Sequence, residues 1–424
     1  MTSTIPTPTS LDAVPGAVEA ELRAFFADAV PATAAIAPVV GEAAELIRDF
    51  VLRGGKRIRP VFAFAGWRCG TSSSDRTVAG HDAPGPRDAL RVCAALELVQ
   101  ACALIHDDII DRSDTRRGFP TVHREFESRH ESAKWAGDPG AHGVAAAILA
   151  GDFALAWADD LVHGHRPGVS TSSTGSRVGS TGSRVGSTGS RVGSTGSKVG
   201  ATGSKVGATG RDGSTVEDGG RPLPAAVGAT WAAMRTEVLG GQFLDIVNEA
   251  GGDDSTEAAY RVMEFKTAAY TVARPLELGA RLAGASDDLV SGLRSIGHDL
   301  GVAFQLRDDL LGVFGDPERT GKPSGDDLVS GKRTALLAIA LQRADAADPA
   351  LGARLRSHLG RALDDDELNS ARGIFVEVGA VAEVENSIDE LLGSALSALD
   401  AADIGADIRT ELIAVAHRVA HREA

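Results

Sequence analysis

Aromatic residues are scarce in this chain of 424: Phe, Trp and Tyr together make up 4%. Alanine and leucine dominate the apolar set, and a core of that kind favours helices, because strands prefer β-branched and aromatic side chains. Cysteine is nearly missing. Cys69, Cys93 and Cys102 are scattered, with no CxxC pair. That excludes a disulfide framework and a thiolate zinc site, and points to reduced thiols in a cytoplasmic protein. There is no excess of positive charge: the formal net charge is −15, so nucleic acid is not an expected partner. The N-terminus, MTSTIPTPTSLDAVPG, has no basic and no apolar stretch, so no secretory signal is expected. No run approaches the roughly 18 apolar residues of a membrane span. The longest, from Val144 to Gly151, has the length of a buried helix segment, and stable membrane insertion is not expected.

What is present is enough to bury a large core: 43% of residues are hydrophobic and 24% charged. Apolar residues recur at helical spacing over 37–52, 58–69, 89–111, 143–161, 225–250, 257–282, 287–314, 334–343, 350–363, 366–378 and 381–399. The segment at 89–111 is apolar almost all round, as suits a central helix buried on most sides. No strand alternation competes, so the expected fold class is all-α, a helical bundle. One stretch belongs to no core. From Gly175 to Thr209 the chain repeats GSRVGST three times and GSKVGAT twice. Each unit of seven has two glycines and one valine, so there is no coiled-coil seam. Residues 166–222 are expected to be a disordered insertion. It would split one helical domain into 1–165 and 223–424.

The chemistry gathers at two helix ends. IHDDIIDRSDTRRG, from Ile105 to Gly118, carries Asp107, Asp108 and Asp111 at spacing i, i+1, i+4. Positions 107 and 111 share a helix face, with 108 beside them. Like charges there repel, and the helix dipole disfavours anions at that end. A solvated helix end is one account. Mg²⁺ is another, since it takes hard oxygen ligands and is usually shared with substrate phosphates. A second copy, FQLRDDLLGVFGD, runs from Phe304 to Asp316. Asp308 and Asp309 match the first pair, while Gly312 stands at the third place. Basic residues complement them: Lys56, Arg57 and Arg59 in GGKRIRP, Arg116 and Arg117 after the first acidic motif, then Lys266 and Lys332. Arg grips phosphate through a fork and Lys acts as a point charge. Together they suggest two anion sites, one bridged by metal and one held by basic side chains alone.

GGKRIRP, DDIID with RRG, GQFLD, KT, FQLRDDLLGVFGD and GKR, in this order, resemble the trans-type polyprenyl diphosphate synthases. The similarity covers nearly all the chain outside the N-terminal tail and the repeats. It implies an isoprenoid-synthase-type helical bundle around a central cavity, and a homodimer. It also implies the substrates, isopentenyl diphosphate and an allylic diphosphate, and about three Mg²⁺ ions. By resemblance, Asp107, Asp108 and Asp111 would bind two of these ions, and Asp308 the third with Asp309 nearby. Arg116, Lys266 and Lys332 would hold the allylic diphosphate. Lys56, Arg59, Gln100 and Arg117 would hold isopentenyl diphosphate; the family often has His at the place of Gln100. Thr267 and Gln242 would offer oxygens near the developing carbocation. One turn below Asp107 lie Cys102 and Ala103, where family members that stop at fifteen carbons often place aromatic rings. Both are small here, which opens that floor and favours a twenty-carbon product. Val99 and Leu98, then Leu96 and Ala95, would follow as partial blocks. Two other readings share features with this one. A class I terpene cyclase has no use for GGKRIRP or a second aspartate pair. A non-catalytic subunit usually loses an aspartate motif, and both are substantially present here.

Overall fold

The apolar spacing read along the chain becomes helices in the computed structural model, which describes residues 7–75, 84–165, 167, 223–316 and 325–421. The expected insertion at 166–222 lies outside the described residues, save Pro167. The first half contains α1 (Val14–Ala34), α2 (Pro38–Leu52), α3 (Ile58–Ser72), α4 (Pro86–Ile110), α5 (Val122–Ala133) and α6 (Pro139–Val162). After the insertion come α7 (Ala225–Gly251), α8 (Thr256–Val262), a π-helical segment (Met263–Ala273), α9 (Arg274–Leu282) and α10 (Asp287–Phe314). Further helices follow, at Asp326–Ser330, Ala335–Ala347, Pro349–Arg356, Asp365–Glu377, Ala380–Ala401 and Ala406–Ala420.

Several elements correct the reading from spacing, which also placed no helix at Asp326–Ser330 or Ala406–Ala420. Helix α1 buries Val14, Val18, Leu22, Phe25 and Phe26 along one stripe, but Pro15 and Pro31 mask that pattern as turn punctuation. Helix α5 is mostly polar and buries only Val122, His123, Phe126 and His130. A two-residue antiparallel pair, Thr115–Arg116 with Phe119–Pro120, closes the hairpin after the first acidic motif. It is too short to leave any alternation to read.

Helix α4 is the axis. Ala89, Val92, Leu96, Val99 and Ile105 are buried on different sides of it, and α1, α3 and α6 pack around it. Helix α7 and α10 flank the π-helical segment. The N-terminus of α4 is set by Gly85 and Pro86, where a proline lacks an N–H that would be unpaired anyway. Asp88 accepts from the Gly85 N–H at 3.0 Å.

The expectation of no span-length apolar helix needs correction. By length and composition α4 and α6 could each cross a membrane, because alanines and few charges keep a long window apolar. Helix α4 is instead the buried centre of the bundle. Helix α6 is less covered, and Ile148 and Leu149 on it are exposed, Leu149 at 61%.

Candidate active site

Helix α4 ends at the mouth of a cleft of about 320 Å³ that runs down between α4, α6, α7 and the π-helical segment. Four chain segments converge on its carboxylates. Arg116, from the hairpin, donates through Nε to Asp108 Oδ1 at 2.7 Å and lies 3.7 Å from Asp107. Lys266, from the π-helical segment, is 3.6 Å from Asp107 Oδ1. Gln242, on α7, donates to the same oxygen at 3.2 Å. Lys332, beyond α10, is 3.5 Å from Asp111. A π-helical turn widens the local helix and often marks a functional site; here it carries Lys266, Thr267 and Tyr270 to the cleft.

Charge balance explains the protonation behaviour. Burial pushes the Asp108 carboxyl up to about 6, with Arg116 pulling the other way and Asp107 and Asp111 adding to the rise. Burial and the neighbouring Asp107 likewise raise Asp111, against Lys332 and Lys266. For Lys332 burial favours the neutral amine, yet Asp111, Asp327 and Asp107 together drive its affinity for the proton above the usual lysine value. Lys266 behaves alike, held by Asp107 and by Asp245 at 2.5 Å.

The donor set fits Mg²⁺. Asp107 and Asp111 share a helix face at the mouth, and one oxygen of Asp108 is buried with no hydrogen-bond partner. Among the described residues no three ligand groups already converge into a closed cage. That suits an ion that keeps several waters and takes one or two carboxylates plus phosphate oxygens.

At the second acidic end the structure separates the pair. Asp309 turns inward, 2% exposed. Its oxygens accept from Gln305 Nε2 at 2.8 Å and from the backbone N–H of Ala335 at 3.0 Å. Asp308 is half-buried beside it. Gly312 is not a gap. A Cβ there would lie 1.8 Å from Asp327 Oδ2, so the carboxylate of Asp327 occupies the space a side chain at 312 would need.

Of the residues expected to hold a second anion, Arg117 reaches the basic loop and Arg59 and Gln100 meet at Tyr270. Arg117 donates to the Gly54 carbonyl. A Cβ on Gly55 would sit 3.3 Å from the Arg117 guanidinium, so a residue without one lets arginine and loop meet. Arg59 stacks on the Tyr270 ring at 4.2 Å and donates to Thr271 Oγ1 at 3.0 Å. The Tyr270 hydroxyl donates to Gln100 Oε1 at 3.1 Å, which turns the Gln100 amide N–H groups away from it. Lys56 lies on the same loop and borders a neighbouring cleft with Phe304. Arg57 is different: it is buried and spends its guanidinium on Glu97 and the Val51 carbonyl, so it anchors the loop and does not face an anion.

Below the mouth, Cys102, Ala103 and Val99 line the cleft. Leu98, Leu96 and Ala95, expected as deeper blocks, are buried in the core outside it. The side chains that line the lower cleft instead include Leu155 on α6 and Val238 and Arg235 on α7. Sequence reading also missed Asp245 and Tyr270. Asp245 was within reach, since it stands three residues after Gln242 and so on the same helix face. Nothing local marks Tyr270.

A polyprenyl synthetase model matches residues 41–178 and 225–372, which spans both acidic helix ends and the basic loop. The chain belongs to the polyprenyl synthetase family. This polyprenyl synthetase is similar to a geranylgeranyl pyrophosphate synthase from Corynebacterium glutamicum, solved with isoprenyl diphosphate and magnesium. The two are 40% identical, the match covers 97% of this chain and 99% of that one, and the TM-score is 0.78. It is also similar to two Mycobacterium tuberculosis proteins. A geranylgeranyl diphosphate synthase is 28% identical over 91% of each chain. A (2E,6E)-farnesyl diphosphate synthase is 30% identical over 81% of this chain and 80% of that one. The all-α isoprenyl synthase fold is thus shared, and this polyprenyl synthetase is a prenyltransferase that elongates prenyl chains. Its relatives differ in the length of product they are named for.

Proposed function

We propose that this polyprenyl synthetase joins isopentenyl diphosphate head to tail to allylic diphosphates and releases geranylgeranyl diphosphate, of twenty carbons. The observation that carries this reading is the cleft itself. Its mouth gathers the carboxylates of α4 with three cations, and small Cys102 and Ala103 leave the way below open. Asp107, Asp108 and Asp111 with Asp308 are assigned to about three Mg²⁺ ions, Asp309 standing behind Asp308. Bound Mg²⁺ would supply positive charge that eases departure of the allylic diphosphate. Arg116, Lys266 and Lys332 grip that diphosphate and keep it in place as the C–O bond breaks. Gln242, its N–H given to Asp107, and Thr267 present oxygens to the positive charge that develops at carbon. Lys56, Arg59, Arg117 and Gln100 hold isopentenyl diphosphate so that its double bond faces that carbon. A carbon–carbon bond forms, and the departed diphosphate takes the proton, so no side-chain base is required.

The working unit we propose is a homodimer. Ile148 and Leu149 on α6 and Leu239, Phe243, Ile246 and Val247 on α7 are exposed, Phe243 at 68%. Exposed large apolar residues in such number are characteristic of an interface. The test of the reaction is direct. Purified protein is incubated with labelled isopentenyl diphosphate, each allylic primer and Mg²⁺, and product length is measured. Twenty carbons is the expected end point. Products that stop at fifteen would overturn the assignment of length, and no elongation at all would overturn the site.

A further inference from the structure

Two helices that wall the lower cleft, α6 and α7, are clasped at its base by one carboxylate. Asp159 on α6 accepts from the Trp231 indole N–H at 2.9 Å and pairs with Arg235 at 2.6 Å. Both partners are on α7, and the Arg235 guanidinium lies 5.7 Å from the centre of the Trp231 ring. Arg235 lines the cleft, and its Nε–H is buried without an acceptor. We propose that Arg235, locked by Asp159 and Trp231, is the floor that stops chain growth in this enzyme. The proposal rests on the reading of this cleft as the tunnel for the growing chain.

Depth and chemistry both point to it. Arg235 stands seven residues before Gln242, about 10.5 Å down α7 at 1.5 Å per residue. On α4 the lining descends from Asp107 through Ala103 to Val99, eight residues or about 12 Å, and goes no deeper. One isoprene unit adds roughly one helical turn of length, about 5.4 Å, so Arg235 stands at about the depth of the deepest α4 lining residue, and a chain that outgrows the cleft would meet it. Hydrocarbon cannot take that place without cost. A guanidinium is a planar cation with five N–H donors. Displacing it would break its pair with Asp159 or press its unpaired N–H further into an apolar environment. An aromatic floor blocks by bulk, whereas this one blocks by charge held in a fixed position.

The experiment compares product lengths from farnesyl and geranylgeranyl primers with excess isopentenyl diphosphate and Mg²⁺. Wild type should stop at twenty carbons. Arg235→Ala should raise the share of products of twenty-five carbons or more roughly tenfold or beyond, the scale on which pockets discriminate extra hydrocarbon. Arg235→Lys, which keeps a charge at the floor, should stay at twenty. If Arg235→Ala does not fold, Arg235→Met carries the same test, since it keeps the stem and removes the charge. A wild-type product beyond twenty carbons overturns the proposal, as does an unchanged distribution in a folded, active Ala or Met variant. The double variant Cys102→Phe with Ala103→Phe separates the two ideas. If it shortens the product while the Arg235→Ala and Arg235→Met variants leave product length unchanged, the tunnel is right and the floor is wrong. If it too changes nothing, the tunnel reading fails and the proposal with it.

Discussion

Helices α4 and α10 both end in a pair of aspartates, and the two pairs are built differently. In each, the second aspartate turns inward. Asp108 meets a cation there, the Arg116 guanidinium at 2.7 Å. Among the described residues Asp309 meets neutral donors, Gln305 and the Ala335 N–H. Burial raises both carboxyls, but the arginine holds Asp108 to about 6, whereas Asp309 rises to about 8. The third place differs as well. Asp111 supplies its own carboxylate to Lys332. Gly312 supplies none, and Asp327 from a later turn fills the space. One spacing in sequence thus serves two purposes. The first end concentrates charge at the cleft mouth. In the second, Asp309 joins α10 to the start of the helix at Ala335–Ala347.

The sharpest break of this comparison is Asp107→Ala. Asp107 touches Arg116, Lys266 and Gln242 at once, and the proposed reaction puts its charge where the diphosphate leaves. Turnover of labelled isopentenyl diphosphate should fall by several decades, on the order of several kcal/mol of lost transition-state stabilisation. The melting temperature should stay close to wild type. Near-normal turnover, in this variant or in EDTA, would remove the first helix end from the chemistry.

Gly312→Ala comes next. The added methyl forces the Asp327 carboxylate aside. Overpacking costs about 1–3 kcal/mol, while alanine in a helix returns about 1 kcal/mol relative to glycine, so the stability loss should be modest. Misplacing a carboxylate beside the second aspartate pair should lower kcat by about tenfold to a hundredfold. A variant with wild-type kcat and a shifted melting temperature would make Asp327 a packing residue only.

The smallest expected effect belongs to Asp309→Asn. The Asp309 carboxyl is raised in the folded protein, from the ordinary 3.8 to about 8. The raised group favours the folded state while it is protonated. That contribution is full below about pH 4 and is lost as pH rises through about 8. Asparagine is neutral throughout and can still accept from the Ala335 N–H, with Gln305 turning its amide over. In metal-free protein near pH 4 the variant should melt within a few degrees of wild type. Near pH 9 it should be the more stable of the two. Parallel melting curves at both values would show that Asp309 is ionised in the fold.

Much of this was legible along the chain. The all-α class follows from a core poor in aromatic and β-branched residues. The acidic ends of α4 and α10 follow from local spacing, and so do the glycines before Lys56. Local periodicity also places Cys102 and Ala103 one turn below Asp107, because a helix converts sequence distance into direction. The misses have a common cause. Trp231 and Arg235 carry no local mark, and their meaning comes from Asp159, more than seventy residues earlier. Tyr270 matters because Gln100 and Arg59 are brought to it from two other helices. Arg57 and Arg59 differ by two positions in one motif, yet the backbone sends the first into the core and the second to the cleft.

The sequence by itself therefore determined the helices, the residue types at the two acidic ends and the family to which the chain belongs. These rest on composition, spacing and order, which need no third dimension. Only the tertiary structure decided which aspartate of each pair turns inward, that the Asp327 carboxylate occupies the space beside Gly312, and that Val99 and Arg235 line the same cleft. Those facts depend on contacts between segments far apart in the chain. Such contacts are set by how the helices pack and by where a buried charge finds its partner.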